Sequence, residues 1–190
     1  MTSPKENILI DLNVTAPDFN LIDIFDRNIH LKSYKGKRVF IGFFRHAGCP
    51  FCNLRVHSLM NIREKLLANN MEMIFFFEST RELLLKSIFH KEVSPVPLIA
   101  DPTKTQYSIY GIENSLLKSS FSHLTTFIQT AIKAKMKQLP LYPMDGNESF
   151  STMPAEFLLD ENLIIRKIHY SKTLNDRISL DTIIDFSMKK

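Results

Sequence analysis

The chain has 190 residues, of which 44% are hydrophobic and 23% charged, with a formal net charge of +4. These values are typical of a globular protein, and so small and mixed a charge does not indicate nucleic-acid binding. No stretch reaches the roughly 18 apolar residues of a membrane span, and the N-terminus lacks a signal-peptide core, so we expect a cytoplasmic protein with no membrane partner. Two cysteines are too few for the disulfide framework of a small secreted domain.

The first half of the chain alternates between predicted strands and helices. Its N-terminal extension, "ILIDLNVTAPDFNLIDIFDRNIHLKSYKGK", predicts short β-strands and turns. "RVFIGFF" and "MEMIFFF" predict buried strands. Between them, Leu54, Leu59, Ile62, Leu66 and Leu67 recur at helical spacing and predict a helix from Cys49 to about Asn69. A helix capped by Ser79 or Thr80 and the strand "PLIAD" follow.

The second half completes an α/β pattern. A short helix ends at Gly111, and residues 115–150 predict a helical insert plus loop. The insert's helix, 116–139, contains four lysines and no acidic residue. "AEFLLDENLIIRKIHY" predicts a β-hairpin, and "SLDTIIDFSMKK" a final helix capped by Ser179. We therefore predict one α/β domain over residues 1–190, with a central mixed β-sheet flanked by helices.

The two cysteines, Cys49 and Cys52, lie where the first buried strand gives way to a helix. A thiol at a helix N-terminus is close to unpaired N–H groups and the positive end of the helix dipole, which lower its pKa and favour the thiolate. Pro50 suits the first helical turn. We predict that Cys49, nearest the helix N-terminus and solvent, attacks and that Cys52 resolves. Arg45 and His46 precede the pair; either could favour the thiolate, and we predict that both contact the substrate.

Other interpretations of the pair remain open. The cysteines could be two small buried apolar residues. They could also form half of a zinc site with His46 or His57, although a structural zinc ion takes four ligands and the chain has no second cysteine pair.

Several segments together resemble the AhpC/TSA (alkyl hydroperoxide reductase/thiol-specific antioxidant) superfamily, in its peroxiredoxin-like branch with a CPxC motif. They are "APDF", "LKSYKGKRV", "CPFCNLRVHSL", "PVPLIADPTKTQYSIYGI" and "MPAEFLLDENLIIRKIHY". The resemblance implies a thioredoxin-like fold and a thiol-based antioxidant enzyme that needs no cofactor. It also implies a peroxide or disulfide substrate and a thioredoxin- or glutaredoxin-like dithiol reductant, and it leaves a homodimer open.

The sequence departs from this family at two places. Neither cysteine follows the Pro-x-x-x-Thr-x-x-Cys pattern of ordinary peroxiredoxins, and Pro154 occupies the place of the family's peroxide-activating arginine. A proline there resembles thioredoxins instead. That likeness implies a cis Met153–Pro154 bond against the cysteine pair, with Met153 and Pro154 lining the substrate groove.

These observations leave three functions open. The first is a dithiol–disulfide oxidoreductase or low-efficiency thiol peroxidase. The second is a non-catalytic redox-sensing or metal-binding protein on the same fold, in which the basic helix 116–139 recruits a partner. The third is a full peroxiredoxin with fast peroxide reduction. Which cysteine would meet peroxide first is also open.

Overall fold

The structure is a computed structural model that describes residues 9–86, 93–112 and 151–189. Within these ranges the strands run in the order β1 (Asn20–Ile22), β2 (Asn28–His30), β3 (Arg38–Phe43), β4 (Met71–Phe77), β5 (Leu98–Ala100), β6 (Ala155–Leu159) and β7 (Ile165–Tyr170). The α-helices are α1 (Pro50–Ala68), α2 (Arg81–Lys86), α3 (Thr105–Ile109) and α4 (Leu180–Met188), with a 3-10 helix at Leu31–Tyr34.

The central sheet is mixed, as predicted. Its five described strands lie in the order β5-β4-β3-β6-β7, while β1 and β2 pair separately as an antiparallel ribbon. β3 pairs in parallel with β4 and antiparallel with β6. β7 extends the sheet antiparallel to β6, so the predicted hairpin is confirmed. The sheet with its flanking helices is a thioredoxin-like fold.

The central strands are buried on both faces, and alternate side chains enter two apolar clusters. Phe40, Phe75 and Leu158 face the cluster beneath α1 and α4, which also contains Cys49 and Cys52. Residues of opposite alternation face the second cluster, beneath the β1–β2 ribbon and α3: Val39, Ile41, Phe43, Ile74, Phe76, Phe157 and Leu159. Because both faces of the sheet are covered, the strand sequences are continuous apolar runs rather than alternations of apolar and polar residues.

The buried stripe of α1 differs from the predicted one. Leu59 and Leu66 are buried as expected, but the other predicted stripe members are only partly buried. The other buried residues of the helix are Pro50, Phe51, Cys52, Asn53 and Val56, so the buried stripe runs through the second cysteine. Cys52 is therefore held in the core because it lies on the apolar face of α1.

Three helix ends are held by side chains. Thr80 Oγ1 accepts the Leu83 N–H at 3.4 Å, and Ser179 Oγ accepts the Thr182 N–H at 3.1 Å, so both predicted caps form. The Asp101 carboxylate accepts the N–H groups of Thr105 and Gln106 at 3.0 and 2.7 Å at the start of α3. Gly111 ends that segment with a φ of 66°, a conformation that costs glycine little.

Two sequence predictions cannot be compared with the structure. The helical insert and loop at 115–150, including the basic helix 116–139, and the second part of the helix after Thr80, residues 87–92, lie outside the described residues. In the part of the chain that is described, no helix has both the length and the apolarity needed to cross a bilayer.

Candidate active site

The cysteine pair begins α1, directly after the loop that leaves the end of β3. The Ala47 N–H donates to Ser79 Oγ at 2.7 Å, and Asn53 Nδ2 donates to the Ala47 carbonyl at 3.0 Å. The Asn53 N–H in turn donates to the Cys49 carbonyl at 3.0 Å. These bonds join the loop to α1 and to the end of β4, and they fix the direction in which the two thiols enter the core.

The two thiols are free and buried. Cys49 is the N-cap of α1 and Pro50 occupies its first turn, as predicted. Cys49 is 1% exposed and Cys52 0%, so neither thiol is open to solvent, although Cys49 is expected to react from the solvent side. Burial follows from packing, because both side chains join the apolar cluster beneath α1. A reaction at Cys49 therefore requires local opening around the first turn of the helix.

The site strongly separates the pKa values of the two thiols. Burial raises the pKa of Cys49, but hydrogen bonds from the Cys52 side chain and backbone, with the charges of Arg45 and Arg177, outweigh it and bring the pKa to about 6. Burial, the hydrogen bond to Cys49 and the charge of Cys49 raise the pKa of Cys52 well above its usual range. These shifts favour the thiolate on Cys49 and the protonated thiol on Cys52.

Arg45 is placed to hold this thiolate. Its side chain is 2% exposed, its Nη1 lies 4.0 Å from Cys49 Sγ, and its backbone N–H donates to Cys52 Sγ at 3.4 Å. From the sequence, either Arg45 or His46 could favour the thiolate. Geometry and charge both favour Arg45, whose guanidinium is positively charged.

Arg45→Gln should raise the pKa of Cys49 by about one unit, because an opposite charge within a few ångströms is removed. The pH profile of thiolate ultraviolet absorbance should move from a midpoint near 6 to a higher pH. Less thiolate would then be present at neutral pH. Arg63→Gln, which removes the same charge further along α1, should leave the profile in place. An unchanged midpoint in Arg45→Gln would contradict the assignment.

His46 does not supply a positive charge at neutral pH. Burial and the charge of Arg45 lower the pKa of His46 to about 4, so its imidazole is neutral there. Its carbonyl accepts the Cys49 N–H at 3.0 Å. The structure thus brings His46 beside the pair, but as a neutral ring, and its role as a substrate contact stays a prediction.

The Met153–Pro154 prediction is partly wrong. No peptide bond within the described ranges is cis, so the Met153–Pro154 bond is trans. Pro154 is buried and directly precedes β6, and its carbonyl accepts the Ser171 N–H at 3.0 Å, so it lies before an interior strand rather than an edge strand. Met153 is 2% exposed and shares the apolar cluster of both cysteines. That either residue lines a substrate groove stays a prediction.

Three charged residues near the pair were not identified from the sequence: Arg55, Glu156 and Arg177. Glu156 is fully buried within β6, and Arg55 Nε and Nη2 donate to its two carboxylate oxygens at 2.8 and 2.9 Å. The Ile178 N–H also donates to Glu156, at 2.9 Å. A glutamate inside the apolar run "AEFLL" was the available signal, because a buried charge needs a partner. Arg177 comes close to the cysteine pair only in the tertiary fold.

A second buried carboxylate supports the segment before Met153. Glu78 accepts a hydrogen bond from Thr152 Oγ1 at 2.6 Å. It also forms an ion pair with Lys104 Nζ at 2.9 Å. Lys104 Nζ also donates to Thr152 Oγ1 at 3.1 Å. This network joins the ends of β4 and β6 with α3, and it positions the chain that enters the cysteine cluster.

The residues described here do not assemble a metal site. Nowhere in ranges 9–86, 93–112 and 151–189 do three histidine, cysteine, aspartate or glutamate side chains come together in a way that could hold a metal ion. The predicted alternative of zinc bound by the pair with His46 or His57 therefore has no assembled ligand set among those residues.

Comparisons with known proteins agree with the fold. The AhpC/TSA family profile matches residues 12–168. The crystal structure of peroxidoxin BcpB from Mycobacterium tuberculosis superposes with a TM-score of 0.64 at 14% identity, covering 93% of this chain and 95% of that one. A protein described as thiol:disulfide interchange protein DsbE from Chlorobium tepidum superposes with a TM-score of 0.60 at 17% identity, covering 95% of this chain and 99% of that one. No match was found among curated protein sequences.

Proposed function

We propose that this chain, which belongs to the AhpC/TSA family, is a dithiol–disulfide oxidoreductase that also reduces peroxides slowly. The family supports a thiol redox function, and the choice of reaction rests on one observation. Arg45 Nη1 lies 4.0 Å from Cys49 Sγ, and the site lowers the pKa of Cys49 to about 6 while it raises that of Cys52 well above its usual range. An attacking thiolate with a resolving thiol beside it is the arrangement that disulfide exchange requires.

The reaction follows from the charges of the pair. The Cys49 thiolate attacks one sulfur of a substrate disulfide, the substrate S–S bond breaks, and one substrate thiol leaves. Cys49 then carries no negative charge, so one cause of the raised Cys52 pKa disappears while Arg45 and Arg177 still favour its thiolate. The Cys52 thiolate attacks Cys49 Sγ, releases the second substrate thiol and forms the Cys49–Cys52 disulfide. Two electrons have passed from the protein to the substrate.

Peroxide reduction would use the same two thiols. Attack of Cys49 on a peroxide oxygen breaks the O–O bond and leaves a sulfenic acid and an alcohol or water, and Cys52 then displaces water to close the disulfide. This reaction should be slow, because the family's threonine and arginine are absent from their usual positions. Loss of one preorganised hydrogen-bond donor commonly costs on the order of 100-fold in rate.

Parallel kinetics with a disulfide and with hydrogen peroxide test the proposal. The reduced protein should reduce a small disulfide with formation of the Cys49–Cys52 disulfide. With peroxide it should react at least about 100-fold more slowly than a peroxiredoxin that carries both polarising groups. Peroxide consumption near the diffusion limit would instead indicate a full peroxiredoxin.

The remaining proposals concern the cellular setting. We propose an antioxidant role in the cytoplasm, with the oxidised pair reduced by a thioredoxin- or glutaredoxin-like dithiol protein. The alternative is a non-catalytic redox-sensing or metal-binding protein on the same fold. Stoichiometric zinc in the purified protein, together with thiols that stay free under mild oxidant, would favour that alternative.

A further inference from the structure

Arg177 has buried hydrogen-bond donors that the fold does not use. Its side chain is 7% exposed, and its Nη1 donates to Ser171 Oγ at 2.9 Å and to the Asp176 carbonyl at 2.8 Å. Its Nε and Nη2 have no hydrogen-bond partner. Nε lies 3.6 Å from Glu156 Oε1, which is too long for a hydrogen bond. Unmet donors on a buried guanidinium are costly, so they call for an explanation.

The unused edge of Arg177 has the geometry of a carboxylate receptor. Nε and Nη2 lie along one side of the planar guanidinium and donate in parallel. Arg55 uses this same edge to bind both oxygens of Glu156, at 2.8 and 2.9 Å. Glu156 is the ion-pair partner of both arginines, so two positive charges face one negative charge. Glu156 therefore balances only one of the two guanidinium charges.

Arg177 also lines an open depression of about 210 Å³ between the first half of α1 and the loop before α4. Phe51, which stands between Cys49 and Cys52 in the chain, forms part of its wall, and the charge of Arg177 acts on both thiols. The other lining residues combine apolar and polar side chains: Leu54, Arg55, Ser58, Leu174 and Asn175. The depression thus offers an apolar wall and a cation whose charge acts on both thiols.

We propose that this depression, the Arg177 pocket, binds the carboxylate of a small anionic disulfide and so positions its sulfurs for Cys49. The proposal rests on the disulfide-exchange function and adds a substrate class to it. Nε and Nη2 of Arg177 are buried, so the carboxylate would bind this edge in the locally opened state that reaction at Cys49 also requires. Cys49 then attacks the nearer substrate sulfur, the substrate S–S bond breaks with release of one carboxylated thiol, and Cys52 displaces the second.

Two aromatic disulfides of opposite character test the pocket. Dithiobis(nitrobenzoate) carries two carboxylates, and dithiodipyridine is uncharged at neutral pH. Arg177→Gln should slow reaction with the anionic disulfide about 10-fold or more beyond its effect on the neutral one, as loss of a charge-assisted bidentate contact predicts. Arg177→Lys should restore only part of this selectivity. Arg166→Gln, which removes a charge on β7 paired with Asp160, should leave the ratio of the two rates unchanged.

Wild-type protein provides a second test that does not depend on the folding of a variant. Benzoate should inhibit reaction with the neutral disulfide, and the uncharged analogue benzamide should not. Equal slowing of both disulfides in Arg177→Gln, matched by a higher thiol pKa, would mean that Arg177 acts only on the thiols and would overturn the pocket, as would absence of benzoate inhibition. If wild-type protein reduces neither disulfide, the proposed function itself fails.

Discussion

Cys49→Ser should abolish disulfide reduction, with a loss of about 1000-fold or more in rate, the scale seen when a nucleophile is removed. A serine hydroxyl forms no anion at neutral pH and cannot take part in a disulfide. Cys52→Ser should behave differently, because Cys49 can still attack but its mixed disulfide cannot be resolved. We expect one equivalent of substrate thiol to be released from Cys52→Ser, with the second half of the substrate retained on Cys49.

Mass spectrometry of the two variants after reaction gives a direct measurement. The adduct should be on Cys49 in Cys52→Ser, and Cys49→Ser should carry none. Both substitutions keep the volume of the side chain nearly unchanged, and a thermal unfolding curve checks that each variant is folded. An adduct on Cys52 of Cys49→Ser, with none in the other variant, would reverse the roles and indicate that Cys52 is the attacking residue.

Glu156→Gln should lower the free energy of unfolding by about 3–5 kcal/mol, the range for breaking a buried ion pair by removing one partner. Glutamine has almost the same shape, so packing is kept while the negative charge between Arg55 and Arg177 is lost. Both guanidinium groups are less than 10% exposed, so water can compensate little of that loss. Urea unfolding followed by circular dichroism measures the effect.

Glu64→Gln is the matched control for this variant. Its Arg63–Glu64 pair is on α1, but Glu64 is 86% exposed, and such pairs contribute about 0–1 kcal/mol. We expect its unfolding midpoint to stay close to that of the wild type. If Glu156→Gln were equally harmless, the buried carboxylate would not be the counter-charge that supports the loop carrying Arg177.

The strands of the sheet and the helix caps could be predicted because the sequence patterns that indicate them are local. "RVFIGFF", "MEMIFFF" and the hairpin sequence are short apolar runs bounded by turns, and Ser179 bonds a backbone N–H only three residues away. The start of α1 at Pro50 is also indicated by a local pattern, because proline favours the first turn of a helix. In each case neighbouring residues alone determine the structure, so a single sequence carries enough information.

The candidate site could be predicted only in part, because the rest of it is tertiary. Burial of Cys49 depends on side chains from several elements that meet only after folding. Arg177 acts on thiols more than 120 residues earlier in the chain, and no local pattern marks it. The expected cis bond at Pro154 came from a resemblance, whereas the trans bond suits a proline whose carbonyl pairs with Ser171 before an interior strand.

The central claim is that Cys49 and Cys52 form one reversible redox pair, and peptide mass analysis of oxidised wild-type protein tests it most directly. After one equivalent of a small disulfide, a single Cys49–Cys52 disulfide should form with release of two substrate thiols per chain. Dithiothreitol should then restore two alkylatable thiols. Two thiols that remain free, or two separate adducts with no bond between the cysteines, would contradict the account.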